Sequence, residues 1–287
     1  MTDTASASDR MVELYNRVTD LMVHAEGGYM HGGYWAGPDA PTTVEEAGDR
    51  LTDHVSERLG LTPGERVLDV GSGNGKATLR IASRHRVQAT GVSINPYQVD
   101  LSRELAEKEG DDTTEFHIGD MLALPFPDGS FDACYAIESI CHALERADVS
   151  TEIARVLRPG GRVTVTDFVL RRPLSERSRT IVDTANDNFQ QGPVLTREAY
   201  EDCMRSVGLE VVEFLDIGDE VRPSYEAVAA KMRAARDGLG SHMDDEAFHR
   251  MVDGIDRMGS VEEVGYSVVT ARKPAPRAQG DDGAETP

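Results

Sequence analysis

Three short segments of this chain gather side chains that could do chemistry. The first, Leu68-Asp69-Val70-Gly71-Ser72-Gly73-Asn74-Gly75, sets a carboxylate ahead of three glycines at alternate positions. Glycines so spaced let the backbone turn tightly and let a ligand approach without Cβ clashes. A dinucleotide loop carries its last glycine one place later, where Lys76 stands. Asp69 can accept from an ammonium and would repel a pyrophosphate, so the loop suits a ligand with an amino-acid moiety and no phosphate. The second segment, Ile137-Glu138-Ser139-Ile140-Cys141-His142, ends on an imidazole, whose ordinary pKa of about 6.5 suits general-base work. The third is Gly27-Gly28-Tyr29-Met30-His31-Gly32-Gly33-Tyr34-Trp35. Its aromatic faces could cover a flat or apolar molecule and stabilise positive charge. It also holds the only Trp of the chain, so the concentration of rings carries information.

Elements must hold these segments in place. Met11, Leu14, Tyr15, Val18, Leu21 and Met22 recur at helical spacing, which predicts a helix over Arg10–Val23 behind a frayed first eight residues. A second helix is predicted over Thr43–Leu59, with Thr43 and Glu46 in capping-box spacing. The period then changes. Strands are predicted at Arg66–Val70, Val87–Val92, Glu115–Ile118, Phe131–Ile137 and Arg162–Leu170. Helices are predicted between them at Gly75–Ser83, Pro96–Glu109 and Val149–Leu157. Such alternation argues for βαβ units and a parallel sheet. Further elements are predicted at Arg197–Val207 (helix), Leu209–Ile217 (strand), Pro223–Asp237 and Asp244–Met258 (helices) and Tyr266–Ala271 (strand). The expected fold is α/β: a doubly wound, Rossmann-like, mostly parallel sheet with an antiparallel last strand. Residues 1–60 form a helical cap with the aromatic loop, 61–273 the catalytic domain, and 274–287 a disordered tail. Segments 171–196 and 219–260 form a lid. Within the lid, Asn186, Asn188, Phe189, Gln190 and Gln191 are placed to read an acceptor, and Met232, Met243, Met251 and Met258 offer core or a soft lining.

Composition narrows the activity. The 287 residues hold 30 Lys and Arg against 51 Asp and Glu, a net charge of −21. A surface that acidic repels phosphate backbones and anionic lipid, which argues against nucleic-acid or membrane partners. Cys134, Cys141 and Cys203 do not make a disulfide scaffold, and no C-x-x-C or H-E-x-x-H pattern suggests a metal. The polar N-terminus lacks a signal-peptide core, and no apolar run approaches the roughly 18–20 residues of a spanning helix. A cytoplasmic enzyme, with homodimerisation open, is the expectation.

Together, VLDVGSGNG, GVSINPYQV, GDMLALPFPDGSFD and ARVLRPGGRV, in this order and spacing from about Gly64 to Phe168, resemble the class I S-adenosylmethionine (SAM)-dependent methyltransferases. From HGGYW to the terminal GYSVVTARKP the chain is similar to small-molecule enzymes of natural-product pathways, such as the rebeccamycin sugar O-methyltransferase. It is more loosely similar to sterol, tocopherol and terpenoid C-methyltransferases. The resemblance implies SAM as cofactor, with Gly71, Ser72 and Gly73 around its methionine part and Asp69 near its ammonium. It puts Asp120 on the adenine amino group, Met121 on the ring, and Glu138 near the cofactor. Where the wider family has a ribose-binding carboxylate, this chain has Ser93, with Gln98 one helical turn on to share the ribose. His142 would be the base, and Asp167 would orient it or take the proton. His31, Tyr29, Tyr34 and Trp35 would fold over the site toward the acceptor, with Tyr15 joining them. The sugar methyltransferase has two adjacent histidines where this chain has Cys141 and His142.

The implied reaction is O-methylation of a small secondary metabolite. C-methylation of an alkene and N-methylation stay open, as do, from other classes, a NAD-dependent oxidoreductase and a non-methylating SAM-binding cyclase.

Overall fold

In the computed structural model the described residues are 6–37, 39–236 and 244–275. Eight strands form one sheet: β1 Arg66–Val70, β2 Gln88–Ser93, β3 Thr114–Ile118, β4 Phe131–Ile137, β5 Leu157–Leu170, β6 Leu195–Thr196, β7 Glu210–Asp216 and β8 Val264–Arg272. The order is β3-β2-β1-β4-β5-β8-β7, with β6 beside β5. Strands β1 to β6 pair in parallel, while β8 runs antiparallel between β5 and β7. The near-continuous burial of β1 and β4 is what a sheet covered on both faces requires. The order reverses between β2-β1 and β4, and in open α/β sheets a ligand binds outside the strand ends at such a point.

Among the described residues, ten helices surround the sheet: α1 Ala7–Ala25, α2 Val44–Leu59, α3 Lys76–His85, α4 Pro96–Glu109, α5 Arg146–Val156, α6 Glu176–Phe189, α7 Arg197–Ser206, α8 Gly218–Val221, α9 Pro223–Ala235 and α10 Asp245–Met258. Leu51, Val55 and Leu59 of α2 pack on Val67, Tyr135 and Val268 on one face. Ile153 of α5 and Tyr200 and Met204 of α7 close the other face over Val163 and Val165. A separate core joins Leu14, Val18 and Leu21 of α1 to Met232 of α9 and Met251 and Ile255 of α10. Helices α1, α9 and α10 therefore share one apolar layer. No helix among the described residues is long and apolar enough to cross a membrane.

Most predicted elements match to within a few residues. The frayed start does not: Ser6 caps α1, its Oγ accepting from Asp9 N while the Asp9 carboxylate accepts from Ser6 N at 3.1 Å. That reciprocal cap satisfies main-chain donors which would otherwise be open to water. Helix α6, inside the predicted lid, was not expected as an element. Ser175 caps it, and Ser178, Val182 and Ala185 are its buried face. Residues 1–5, part of the expected frayed start, lie outside the described residues, as do Asp237, Met243 and the expected tail from residue 276.

Candidate active site

The β1–α3 turn is built as the glycine spacing requires. Gly71 N and Ser72 N both donate to Val92 O of β2, at 2.8 and 2.9 Å, which pins the turn to its neighbour strand. Gly71 has φ +85, and a Cβ there would lie 2.3 Å from the Ser139 Cβ. Gly73 has φ +53 and would press on Met30. Ser72 Oγ is buried and makes no hydrogen bond. An orphaned hydroxyl in a cradle with no room for added side chains is a fit for a ligand that approaches the main chain closely. Gly71→Ala should therefore cost about 1–3 kcal/mol through its positive φ alone, and the collision with Ser139 should abolish cofactor binding. A thermal melt with a calorimetric titration of S-adenosylhomocysteine checks both effects.

This turn opens on a cleft of about 390 Å³. Asp69, Ser72, Ser93, Gln98, Asp120 and Met121 all border it. Asp69 is almost wholly buried, and its Oδ2 accepts from Thr78 Oγ1 at 2.7 Å and Tyr135 Oη at 2.8 Å. Burial pushes its pKa up to about 6, and the two hydroxyls resist that rise. Neither hydroxyl partner was foreseen; both lie where only the folded sheet brings them. Ser93 Oγ donates to Gln98 Oε1 at 2.9 Å, so the two residues expected to share the ribose are already linked. Gln98 Nε2 reaches back to Thr19 of the cap at 3.2 Å. Asp120 accepts from Leu122 N through Oδ1 and from Ser8 Oγ through Oδ2. Lys76, at the missing third glycine, donates to Gly27 O at 2.9 Å and pairs with Glu45, tying the aromatic loop to α3 and α2.

A second, inner cavity of about 110 Å³ lies under the cap and lid. Tyr15, Met30, Glu138 and His142 border both spaces. His142 closes the short 3₁₀ turn Ile140–His142 after β4. Its Nε2 meets Tyr15 Oη at 2.8 Å. Burial lowers its pKa to about 4, against the smaller opposing pull of the Gln190 and Phe189 carbonyls. Its Nδ1 makes no hydrogen bond among the described residues. Burial also holds Tyr15 as a phenol. A phenol donates readily, and in the tautomer that accepts from Tyr15 Oη it is Nε2 that carries the lone pair. Cys141 is no second base: its Sγ turns inward to Glu138 O at 3.2 Å. Glu138, at φ 50, uses Oε1 to accept from Gly32 N and from Tyr266 Oη, both at 2.9 Å.

Several expected placements need correction. Asp167 does not reach His142 and borders neither cavity. Its Oδ2 is 2.6 Å from Arg146 Nε, and its Oδ1 accepts from Phe168 N. A buried carboxylate takes the strongest donor within reach, and here that is a guanidinium. The rings of the aromatic loop divide: none of Tyr29, His31, Tyr34 and Trp35 borders the second cavity. Tyr34 stacks on His54, and the Trp35 indole donates to Ser224 Oγ at 2.8 Å while its ring packs into the cap core. Tyr29 and His31 border the cofactor cleft and not the inner cavity. Tyr29 donates to Asp49, and His31 Nε2 meets Thr52 Oγ1 at 3.2 Å. Among the lid's polar residues, Gln191 borders the inner cavity with Phe189, whereas Asn188 and Gln190 donate to the main chain of Arg250 and Arg10. Met258 lines the cavity; Met232 and Met251 are core.

Comparison with known proteins fits this geometry. A sequence profile for the methyltransferase domain matches residues 68–165. The chain is 32% identical over 262 residues to O-methyltransferase cnsE of Penicillium expansum, covering 91% of each chain. The chain belongs to the class I SAM-dependent methyltransferases. It is also 34% identical to the 27-O-demethylrifamycin SV methyltransferase of Amycolatopsis mediterranei, over 91% of this chain and 95% of that one. Among solved structures, the [4+2]-cyclase SpnF superposes with a TM-score of 0.81 at 30% identity, covering 94% of this chain and 97% of SpnF. The cofactor of this methyltransferase is SAM, and the 390 Å³ cleft with the Asp69–Gly73 turn is the place in this chain that fits it.

Proposed function

We propose that this methyltransferase acts on a hydroxyl group of a small secondary metabolite, with His142 as the general base. One observation carries the reading: His142 is a half-buried imidazole, its pKa lowered to about 4, on the wall common to the cofactor cleft and the inner cavity. SAM, when bound, supplies an electrophilic methyl group on a sulfonium. The chain has to align the acceptor, exclude water and take one proton. His142 Nε2 can take that proton once an acceptor hydroxyl replaces Tyr15 Oη as its partner. Asp69, Ser72, Ser93, Gln98, Asp120 and Met121 would hold the cofactor in the cleft, and α6, α9 and α10 would close over the acceptor. The same reading assigns residues 1–60 to the cap, 61–273 to the methyltransferase domain, and 171–196 with 219–260 to the lid. The names of the O-methyltransferase relatives support a hydroxyl over an alkene or an amine.

The likeness to SpnF favours a second reading, a cyclisation on a SAM-bound scaffold without methyl transfer. Incubation with labelled SAM and extracts of producing cells separates them. The O-methyl reading expects S-adenosylhomocysteine and a product heavier by one methyl group on oxygen, assigned by mass spectrometry. Conversion of an acceptor with no S-adenosylhomocysteine formed would replace it by the cyclase reading.

A further inference from the structure

The inner cavity holds a carboxyl group that has no hydrogen-bond partner among the described residues. Glu26 stands where α1 ends, with its N–H bonded to Met22 O at 2.8 Å and its carbonyl accepting from Tyr29 N, so its main chain is fixed. The residue is 5% exposed, borders the inner cavity, and its Oε2 makes no hydrogen bond. Burial, and the nearby Glu138, drive its proton affinity up. The same wall carries five aromatic side chains, Tyr15, Phe168, Phe189, Tyr225 and Tyr266, and among the described residues no lysine or arginine contributes to it.

That raised proton affinity keeps Glu26 a neutral acid in the empty cavity, and an entering ammonium favours the carboxylate, the form that complements a compact cation. The carboxylate supplies a charge-assisted hydrogen bond and the rings supply their negative faces. A neutral hydroxyl would satisfy Oε2 but would gain little from the rings. The net charge of −21 would favour the approach of a cation as well. We propose that Glu26 anchors a subsite for a protonated aliphatic amine carried by the methyl acceptor, which makes the acceptor an amino-bearing hydroxyl compound. Glu26 borders the inner cavity and not the cofactor cleft, whereas His142 borders both. The amine is thus recognised at one end while the hydroxyl meets the base at the other. This assignment rests on the methyl-transfer reading for the identity of the ligand as acceptor.

Cyclohexylammonium and cyclohexanol are a matched pair of probes, alike in ring and different in charge. Each is titrated calorimetrically at neutral pH into the full-length protein saturated with S-adenosylhomocysteine. The cation should bind about ten-fold or more tightly than the alcohol. Glu26→Gln should remove that margin and leave the weak alcohol binding in place. If Glu26→Gln does not fold, Tyr225→Leu, which removes one ring from the cavity wall, should reduce the same margin. Equal affinities in the wild-type protein overturn the proposal, and so does a margin that survives the substitution, since the cation is then held elsewhere on the acidic surface. Failure to bind S-adenosylhomocysteine sinks the methyl-transfer reading instead, and the same two titrations without it still decide the amine subsite.

Discussion

His142→Ala should lower kcat by about 10²–10⁴-fold, the range that a positioned general base supplies, without weakening S-adenosylhomocysteine binding. The imidazole borders the cofactor cleft, but the buried hydroxyl and tight main chain offered to the cofactor belong to the β1–α3 turn. His142→Gln is the informative companion, because its amide can still accept from Tyr15 while lacking a base; it should be nearly as slow as the alanine variant. The pH dependence carries the sign. Burial lowers the His142 pKa to about 4, so its lone pair is free above that value and lost as pH falls through it. The rate should stay level from neutral pH down to about 5 and drop only toward 4, whereas a solvated histidine would lose activity through about 6.5. Steady-state rates of the wild type across this range, and of both variants at neutral pH, check the assignment. A variant with unchanged kcat would move the reading toward an acceptor that needs no base, such as an amine.

What could be seen in the sequence follows a physical division. The Gly71–Gly73 turn, Ser93 with Gln98, Asp120 and His142 are each fixed by a strand and the few residues after it, so order and spacing alone place them at one edge of the sheet. The two capping boxes differ in signal: Thr43 with Glu46 fits the usual pattern, whereas Ser6 with Asp9 carries the less usual partner and is visible only in the fold. Contacts between distant segments were not legible. Tyr15 meets His142 across 127 positions, and Glu26 reaches the inner cavity only because α1 packs on α9 and α10. The aromatic loop misled for the same reason. Rings close together in sequence point in different directions once the glycines turn the chain, and Trp35 and Tyr34 end in packing positions.

Asp167 shows how a local reading fails and what replaces it. It ends a central run of β5, as an acceptor-side acid would, but Arg146 at the start of α5 lies 2.6 Å away, and both side chains are nearly inaccessible. Arg146→Ala should cost about 3–5 kcal/mol, because it leaves a buried carboxylate without its partner. Asp167→Asn should cost less, since Arg146 keeps the carbonyl oxygens of Ala143 and Pro193 as acceptors. The two losses should be strongly non-additive in the double variant, which removes the stranded charge. The pH sign supplies an independent check. Burial already raises the Asp167 pKa, with Arg146 opposing it. Without the guanidinium that value rises further, and a carboxyl with a raised folded pKa loses stability as pH climbs above its unfolded pKa of about 3.9. The deficit of Arg146→Ala should therefore be largest at neutral pH and shrink as pH falls toward 4, as read from urea-unfolding midpoints across that window. Because Ala143 directly follows His142, any folded fraction of this variant should also turn over more slowly with unchanged cofactor affinity. A pH-independent deficit would mean that Asp167 is not the group left stranded, and that Arg146 stabilises the protein mainly through the carbonyls of its own turn.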